Sequence, residues 1–249
     1  MLIVWIIVFS MIGSIGAILA AIAFINLGKI IQKSLVPILV AYATGTLLAA
    51  ASLGMIPTAI ANSSNGVESV MIIFLAAILF LFIMEKLVIW RHCHDIECEV
   101  TSLAAGPIIL IGDAFHNLID GVVIAAAFLT NFNIGIAVSL SVIAHEIPQE
   151  VGDFAVLIDK NYSKNKAFLF NTLSGSTTIP AAIIGYFVLD LISELIPYVL
   201  AISAASFIYI ALSDLTPELH KIVEFKYSIR QLILILAGIS TMLIIFAFK

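Results

Sequence analysis

The chain has 249 residues, 62% of them hydrophobic and 11% charged, with a net charge of −5 and a mean hydropathy of +1.19. That composition excludes a soluble globular domain, and the acidic balance gives no reason to expect nucleic acid. The apolar runs are continuous over about 20 residues instead of alternating over about 10, which excludes an outer-membrane barrel and predicts an all-α, polytopic membrane protein.

Eight hydrophobic segments follow one another at about 2–25, 37–61, 69–90, 103–129, 134–158, 166–189, 196–215 and 230–248, and together predict one transmembrane domain over 1–249. Segment one has neither a basic leader nor a small-residue cleavage site, so it is expected to be a retained span. Basic residues set the orientation. Lys29 and Lys33 follow segment one, Lys86 and Arg91 close three, Lys160, Lys164 and Lys166 follow five, and Lys221, Lys226 and Arg230 follow seven. The opposite loops carry no Lys or Arg, so the positive-inside rule places both termini outside the cytoplasm, in a cell (plasma or inner) membrane. The short loops contain no phosphate-binding motif, and neither nucleotide nor any other organic cofactor is expected. Between segments three and four, in the loop 91–100, His92-Cys93-His94-Asp95-Ile96-Glu97-Cys98 has metal-binding composition and fits a solvated cytoplasmic turn equally well.

Segments four and five hold the chemistry. Segment four carries Asp113, His116, Asn117 and Asp120; segment five carries His145, Glu146, Gln149, Glu150 and Asp153. At about 100° per residue the first set spans an arc of roughly 100° and the second roughly 140°, so each forms a stripe on one helix face. Ionisable groups at bilayer depth cost about 2.5–3.5 kcal/mol each on insertion scales, and these five carboxylates need partners. No Lys or Arg lies between Arg91 and Lys160. Protons, water or a bound cation remain, and imidazole, amide and carboxylate together suit a divalent transition metal. Nine candidate ligands exceed the needs of one four-coordinate ion, so two adjacent ion positions are expected. Pro148 also frees the Ala144 carbonyl within the same turn. Asp113 and Asp153, at the stripe ends, fit a vestibule or capping place as well as direct ligation. The polar run Asn171, Ser174, Ser176, Thr177 and Thr178 on segment six reads as packing. Pro57, Pro148, Pro180 and Pro217 mark helix breaks of the kind tolerated next to protein or a wet cavity.

The stretches His116-Asn117-Leu118-Ile119-Asp120-Gly121 and His145-Glu146-Ile147-Pro148-Gln149-Glu150-Val151-Gly152-Asp153-Phe154-Ala155 resemble the signature helices of the ZIP zinc/iron transporter family, LIV-1 branch. Glu85-Lys86-Leu87 with Arg91-His92-Cys93-His94 resembles the family's third helix and its histidine-rich loop, and Tyr209 to Leu219 its seventh helix. The resemblance implies a ZIP-type bundle of eight helices that moves zinc, then iron or manganese, toward the cytoplasm without ATP, commonly as a homodimer. It also implies a two-metal centre made by His116, Asn117, Asp120, His145, Glu146, Gln149 and Glu150. In the family, helices one, four, five and six are thought to carry the metal against a scaffold of two, three, seven and eight. Three departures stand out: Gly54, Pro57 and Thr58 where the family's second helix usually reads His-x-x-Pro-Glu, Ile179 where some members have Glu, and Gln149 where most LIV-1 members have His.

Two other functions fit parts of the pattern. His145-Glu146-x-x-Gln149 is one residue from the His-Glu-x-x-His motif of zinc proteases, but Gln149 removes the second imidazole on which that chemistry depends. A membrane metal sensor would need the same ligands without transport.

Overall fold

A computed structural model describes residues 1–92, 105–159, 161–221 and 224–247. The Cys93–Cys98 part of the histidine- and cysteine-containing loop lies outside the described residues. Among the described residues, eight long helical segments run in sequence: α1 (Leu2–Ile25), α2 (Lys29–Ala49, continuing through Ala50–Met55 into Ile56–Asn62), α3 (Gly66–His92), α4 (Ala105–Thr130), α5 (Phe132–Asp159), α6 (Lys164–Leu191), α7 (Ser193–His220) and α8 (Phe225–Ala247). Seven are long and apolar enough to cross a bilayer. The remaining one, α5, has the length at 28 residues, and its hydropathy is diluted by the polar stripe it carries. Several helices run a turn or more past the apolar segments read from sequence, because helical hydrogen bonding continues into the interfacial region where hydropathy has already fallen.

The prolines shape the helices as their missing N–H groups require. Pro57 and Pro217 each follow a π-helical stretch, Ala50–Met55 in α2 and Ile210–Leu215 in α7. The widened turn makes room for a ring that would strike the carbonyl four residues back. Pro180 breaks α6 between Gly175 and Thr178, whereas Pro148 sits inside an uninterrupted α5. A third π-helical stretch, Ile12–Gly16, lies in α1.

Two packing groups make up the bundle. In one, α4 lies against α5 and α6, and α1 against α5 and α6; in the other, α2 packs on α8 and α3 on α7. Contacts of α2 with α5 and of α7 with α4 join them. Glycine permits the closest approaches. A Cβ on Gly45 of α2 would overlap the Ile235 carbonyl of α8, and one on Gly121 of α4 would overlap the Thr178 carbonyl of α6. Such backbone-to-backbone contact gives dispersion and packing energy where the hydrophobic effect between lipid-bathed helices is absent. The core is correspondingly small-grained, with Ala125, Ala126, Ala127, Ala201 and Ala204 fully buried around Phe128 and Phe207. At the end away from the basic loops, Trp5, Phe9, Phe128 and Phe132 stack edge-on and tilted, with centroids 5.6–6.3 Å apart, tying α1 to α4 and α5.

Candidate metal centre

Helices α4 and α5 turn their polar stripes toward each other. The His116 and His145 Nε2 atoms are 3.1 Å apart. His145 Nε2 is 3.1 Å from Asp120 Oδ2 and 3.6 Å from Glu146 Oε1; His116 Nε2 is 3.3 Å from Glu146 Oε1 and 3.7 Å from Asp120 Oδ2. Four donors about 2.05 Å from one tetrahedral zinc ion would lie about 3.3 Å from each other. These five separations, 3.1–3.7 Å, bracket that value, and one donor atom from each of the four residues lies within 4.8 Å of the others, a spacing that could hold a metal ion between two nitrogens and two oxygens.

The surroundings orient the donors. His145 Nδ1 lies 2.8 Å from the Ser141 carbonyl, which can only accept, so Nδ1 carries the proton and Nε2 presents its lone pair to the cluster. The Ser141 hydroxyl donates in turn to the Ala137 and Thr46 carbonyls and reaches Met242 Sδ, linking α5 to α2 and α8. Asp120 and Glu146 are fully buried, and none of their four carboxylate oxygens has a hydrogen-bond partner among the described residues. Buried acceptors without donors are costly, and a cation is the partner this geometry accommodates.

One turn toward the basic end, Asp113, Glu146 and Glu150 bring one oxygen each within 4.8 Å of the others. Glu150 belongs to this second group, along with Asp113, and not to the four-donor cluster. The two amides expected as ligands make protein hydrogen bonds: Asn117 Nδ2 and Gln149 Nε2 both donate to Asp113 Oδ1 at 3.0 Å. Asn117 Oδ1 accepts from the Thr178 hydroxyl at 2.7 Å. Asn171 donates to a Glu150 carboxylate oxygen and to the Glu150 carbonyl. Asn171 and Thr178 had read as packing residues. The signal that could have placed them is their spacing with Ser174, i, i+3 and i+7, which puts three polar side chains on one face of α6, all buried.

A cavity of about 740 Å³ opens on the site from the basic end, lined by Asp113, His116, His145, Gln149, Asp153 and Glu218 among others. Asp153 thus stands in the vestibule. On the other side of the site the space is filled by Val138, Val142, Phe128 and Phe207, all at 2% exposure or less, with the Phe207 ring edge-on to His145 at 5.6 Å.

The model of the family described as ZIP Zinc transporter matches residues 91–246. Curated proteins similar to the chain include zinc transporter ZIP10 of Danio rerio, 35% identical over 148 residues, or 57% of this chain and 18% of that protein. Zinc transporter zipt-7.2 of Caenorhabditis elegans is 35% identical over 140 residues, 55% of this chain and 30% of that protein. Zinc transporter foi of Drosophila melanogaster is 36% identical over 148 residues, 58% and 20%. The matched part therefore spans less than a third of each of these relatives. An eight-helix bundle with two signature stripes face to face and a family match over more than half the chain lead to one assignment: the chain belongs to the ZIP zinc transporter family.

Proposed function

We propose that the protein moves divalent metal ions, zinc foremost and iron or manganese next, across the membrane toward the cytoplasm, using His116, Asp120, His145 and Glu146 as the principal binding position. The observation that carries this reading is the cluster itself: two imidazole nitrogens and two unpartnered carboxylates, 3.1–3.7 Å apart across the separations given above, on two helices that lie between Arg91 and Lys160, where the sequence has no Lys or Arg.

A hydrated ion arriving at these donors exchanges water for ligands stepwise. His145, its Nδ1 proton held by the Ser141 carbonyl, turns Nε2 toward the ion. Asp120 and Glu146 supply the charge that desolvation of a divalent ion demands. Release follows the cavity past Gln149 and Asp153 toward Glu218, and the basic residues at that end support a cytoplasmic exit. The packed aromatic side of the site, against the open cavity on the other, corresponds to a conformation accessible from the cytoplasm. The protease reading loses its general base, because Glu146 faces both histidines as part of the donor cluster instead of standing free beside it.

The decisive measurement is uptake of zinc into sealed liposomes containing the purified protein. Saturable uptake that falls on removal of His145 supports the proposal, and liposomes no more permeable to zinc than protein-free ones overturn it.

A further inference from the structure

A second cavity, of about 530 Å³, opens between α3, α4 and α7, within the roughly 300–1,000 Å³ range of small-molecule sites. Phe80, Ile111 and Phe115 line it while standing 52%, 70% and 51% exposed, so its mouth gives onto the hydrocarbon of the bilayer. On its inner side it shares Gly112, His116, Ile210 and Asp214 with the cavity that leads from the metal centre to the basic end. The two spaces meet at those four residues.

The walls of this side cavity are apolar, and its charged groups are acidic. Glu85 of α3 accepts a hydrogen bond from the Tyr209 hydroxyl of α7, and Asp214 lies in the π-helical stretch that follows Tyr209. Both carboxyl groups belong to segments long and apolar enough to span the membrane, where an ionisable group calls for a partner. A hydroxyl can hold a carboxylate but cannot balance its charge. No Lys or Arg is among the described residues that line the cavity, and Lys86, next to Glu85 in the chain, sets its Nζ over the Phe82 ring. Three aromatic side chains, Phe80, Phe115 and Tyr209, border the same space, and the faces of such rings attract cations.

From these walls we infer that the cavity between α3, α4 and α7 binds a cationic amphiphile that enters from the bilayer, its ammonium group beside Glu85 and Asp214 and its hydrocarbon chain along Phe80, Ile111 and Phe115. An inorganic cation would satisfy the carboxylates and leave the apolar walls unfilled; a neutral lipid chain would do the reverse. Bound there, the amphiphile stands against Gly112 and His116 and narrows the metal's cavity from the side.

The probe is hexadecyltrimethylammonium carrying a photoreactive diazirine on its chain, compared with hexadecanol carrying the same group. Full-length protein in liposomes is irradiated with each, and the labelled peptides are mapped. Saturable labelling of α3, α4 and α7 around the cavity by the ammonium probe is expected, with far less by the alcohol. Combining Glu85→Gln with Asp214→Asn, which keeps the size of both side chains, should weaken labelling about tenfold or more. A Cβ on Gly112 meets nothing within 4 Å, so Gly112→Phe should fold and fill the junction of the two spaces, and it too should suppress labelling. Equal labelling by the alcohol would mean that lipid chains fill the cavity without regard to charge, and would overturn the assignment. Labelling elsewhere, or labelling that neither variant changes, would do the same. Occupancy and not transport is read, so the result is independent of what the histidine cluster carries.

Discussion

His116 and His145 come from different helices, yet their Nε2 atoms lie 3.1 Å apart and face the same space between Asp120 and Glu146. Two ring nitrogens this close cannot both carry protons and share a cation, so occupancy of the site and protonation of the rings are alternatives.

Loss of a donor from this set should cripple transport. Asp120→Ala and His145→Ala are each expected to lower the initial rate of zinc uptake into liposomes by tenfold or more, since removing even a residue that only supports a metal ligand typically costs about 10–100-fold. Wild-type uptake by correctly folded Asp120→Ala protein would rule out the four-donor cluster as the binding position.

Acid should act as a competitor. Only the neutral form of an imidazole binds metal, so protons and zinc compete for the same lone pairs. The zinc concentration for half-maximal uptake should therefore rise as pH falls. Uptake measured at fixed subsaturating zinc over a series of pH values reads the effect directly; a flat profile would separate ligation from the histidines.

Gln149 gives a prediction about metal choice. Its amide nitrogen is bonded to Asp113 Oδ1, a bond that an imidazole at the same position can replace while keeping its second nitrogen for metal. Gln149→His should therefore raise the ratio of zinc to manganese uptake and steepen inhibition by acid. Measuring both ions in the same vesicles checks it, and an unmoved ratio and pH profile would place residue 149 outside the ion's surroundings.

Sidedness can be read with thiol reagents. In a background lacking Cys93 and Cys98, single cysteines at Asn65 and Asn131, both exposed, should react with an impermeant reagent added outside cells. One at Lys164, exposed at the other end, should react only after permeabilisation. The reverse pattern would invert the direction of transport.

The α2–α8 crossing should be the least tolerant packing point. Gly45→Ala drives a methyl into the Ile235 carbonyl and is expected to cost about 1–3 kcal/mol, as overpacking does elsewhere. Gly28→Ala meets nothing within 4 Å and should fall within about 0.5 kcal/mol of wild type. Unfolding midpoints of the two variants in detergent provide the comparison.

The bundle was legible because each span is a long apolar run bounded by polar turns, and the signature stripes because carboxylates without basic partners stand out in such runs. The weakest span by hydropathy, α5, is weak because it carries the stripe, so the chemistry that identifies the family also blurs one of its helices. Finer placement was not legible. Sequence alone puts Glu146 and Glu150 on one face, but that Glu146 reaches both groups and Glu150 only the second depends on the rotation of α5 against α4 and on a third helix. Asn171 lies 21 residues from Glu150, and its role appears only when the break at Pro180 brings α6 alongside. The amides Asn117 and Gln149 have oxygens a metal could use, and only the hydrogen bonds reveal that their nitrogens are engaged with Asp113.

The hydroxyl of Ser141 joins the helix that bears His145 to α2 and α8 through the Thr46 carbonyl and the Met242 sulfur. Interhelical hydrogen bonds inside membranes contribute only about 0.6 kcal/mol on average, close to thermal energy. The histidine helix is thus fastened to its neighbours across that seam by a bond weak enough to break and re-form spontaneously. Within its own group it is anchored by aromatic stacking and by polar contacts with α4 and α6. The α2–α5 boundary therefore rests on side-chain packing more than on polar fastening, while the metal-binding atoms themselves are tied by polar contacts to α4 and α6.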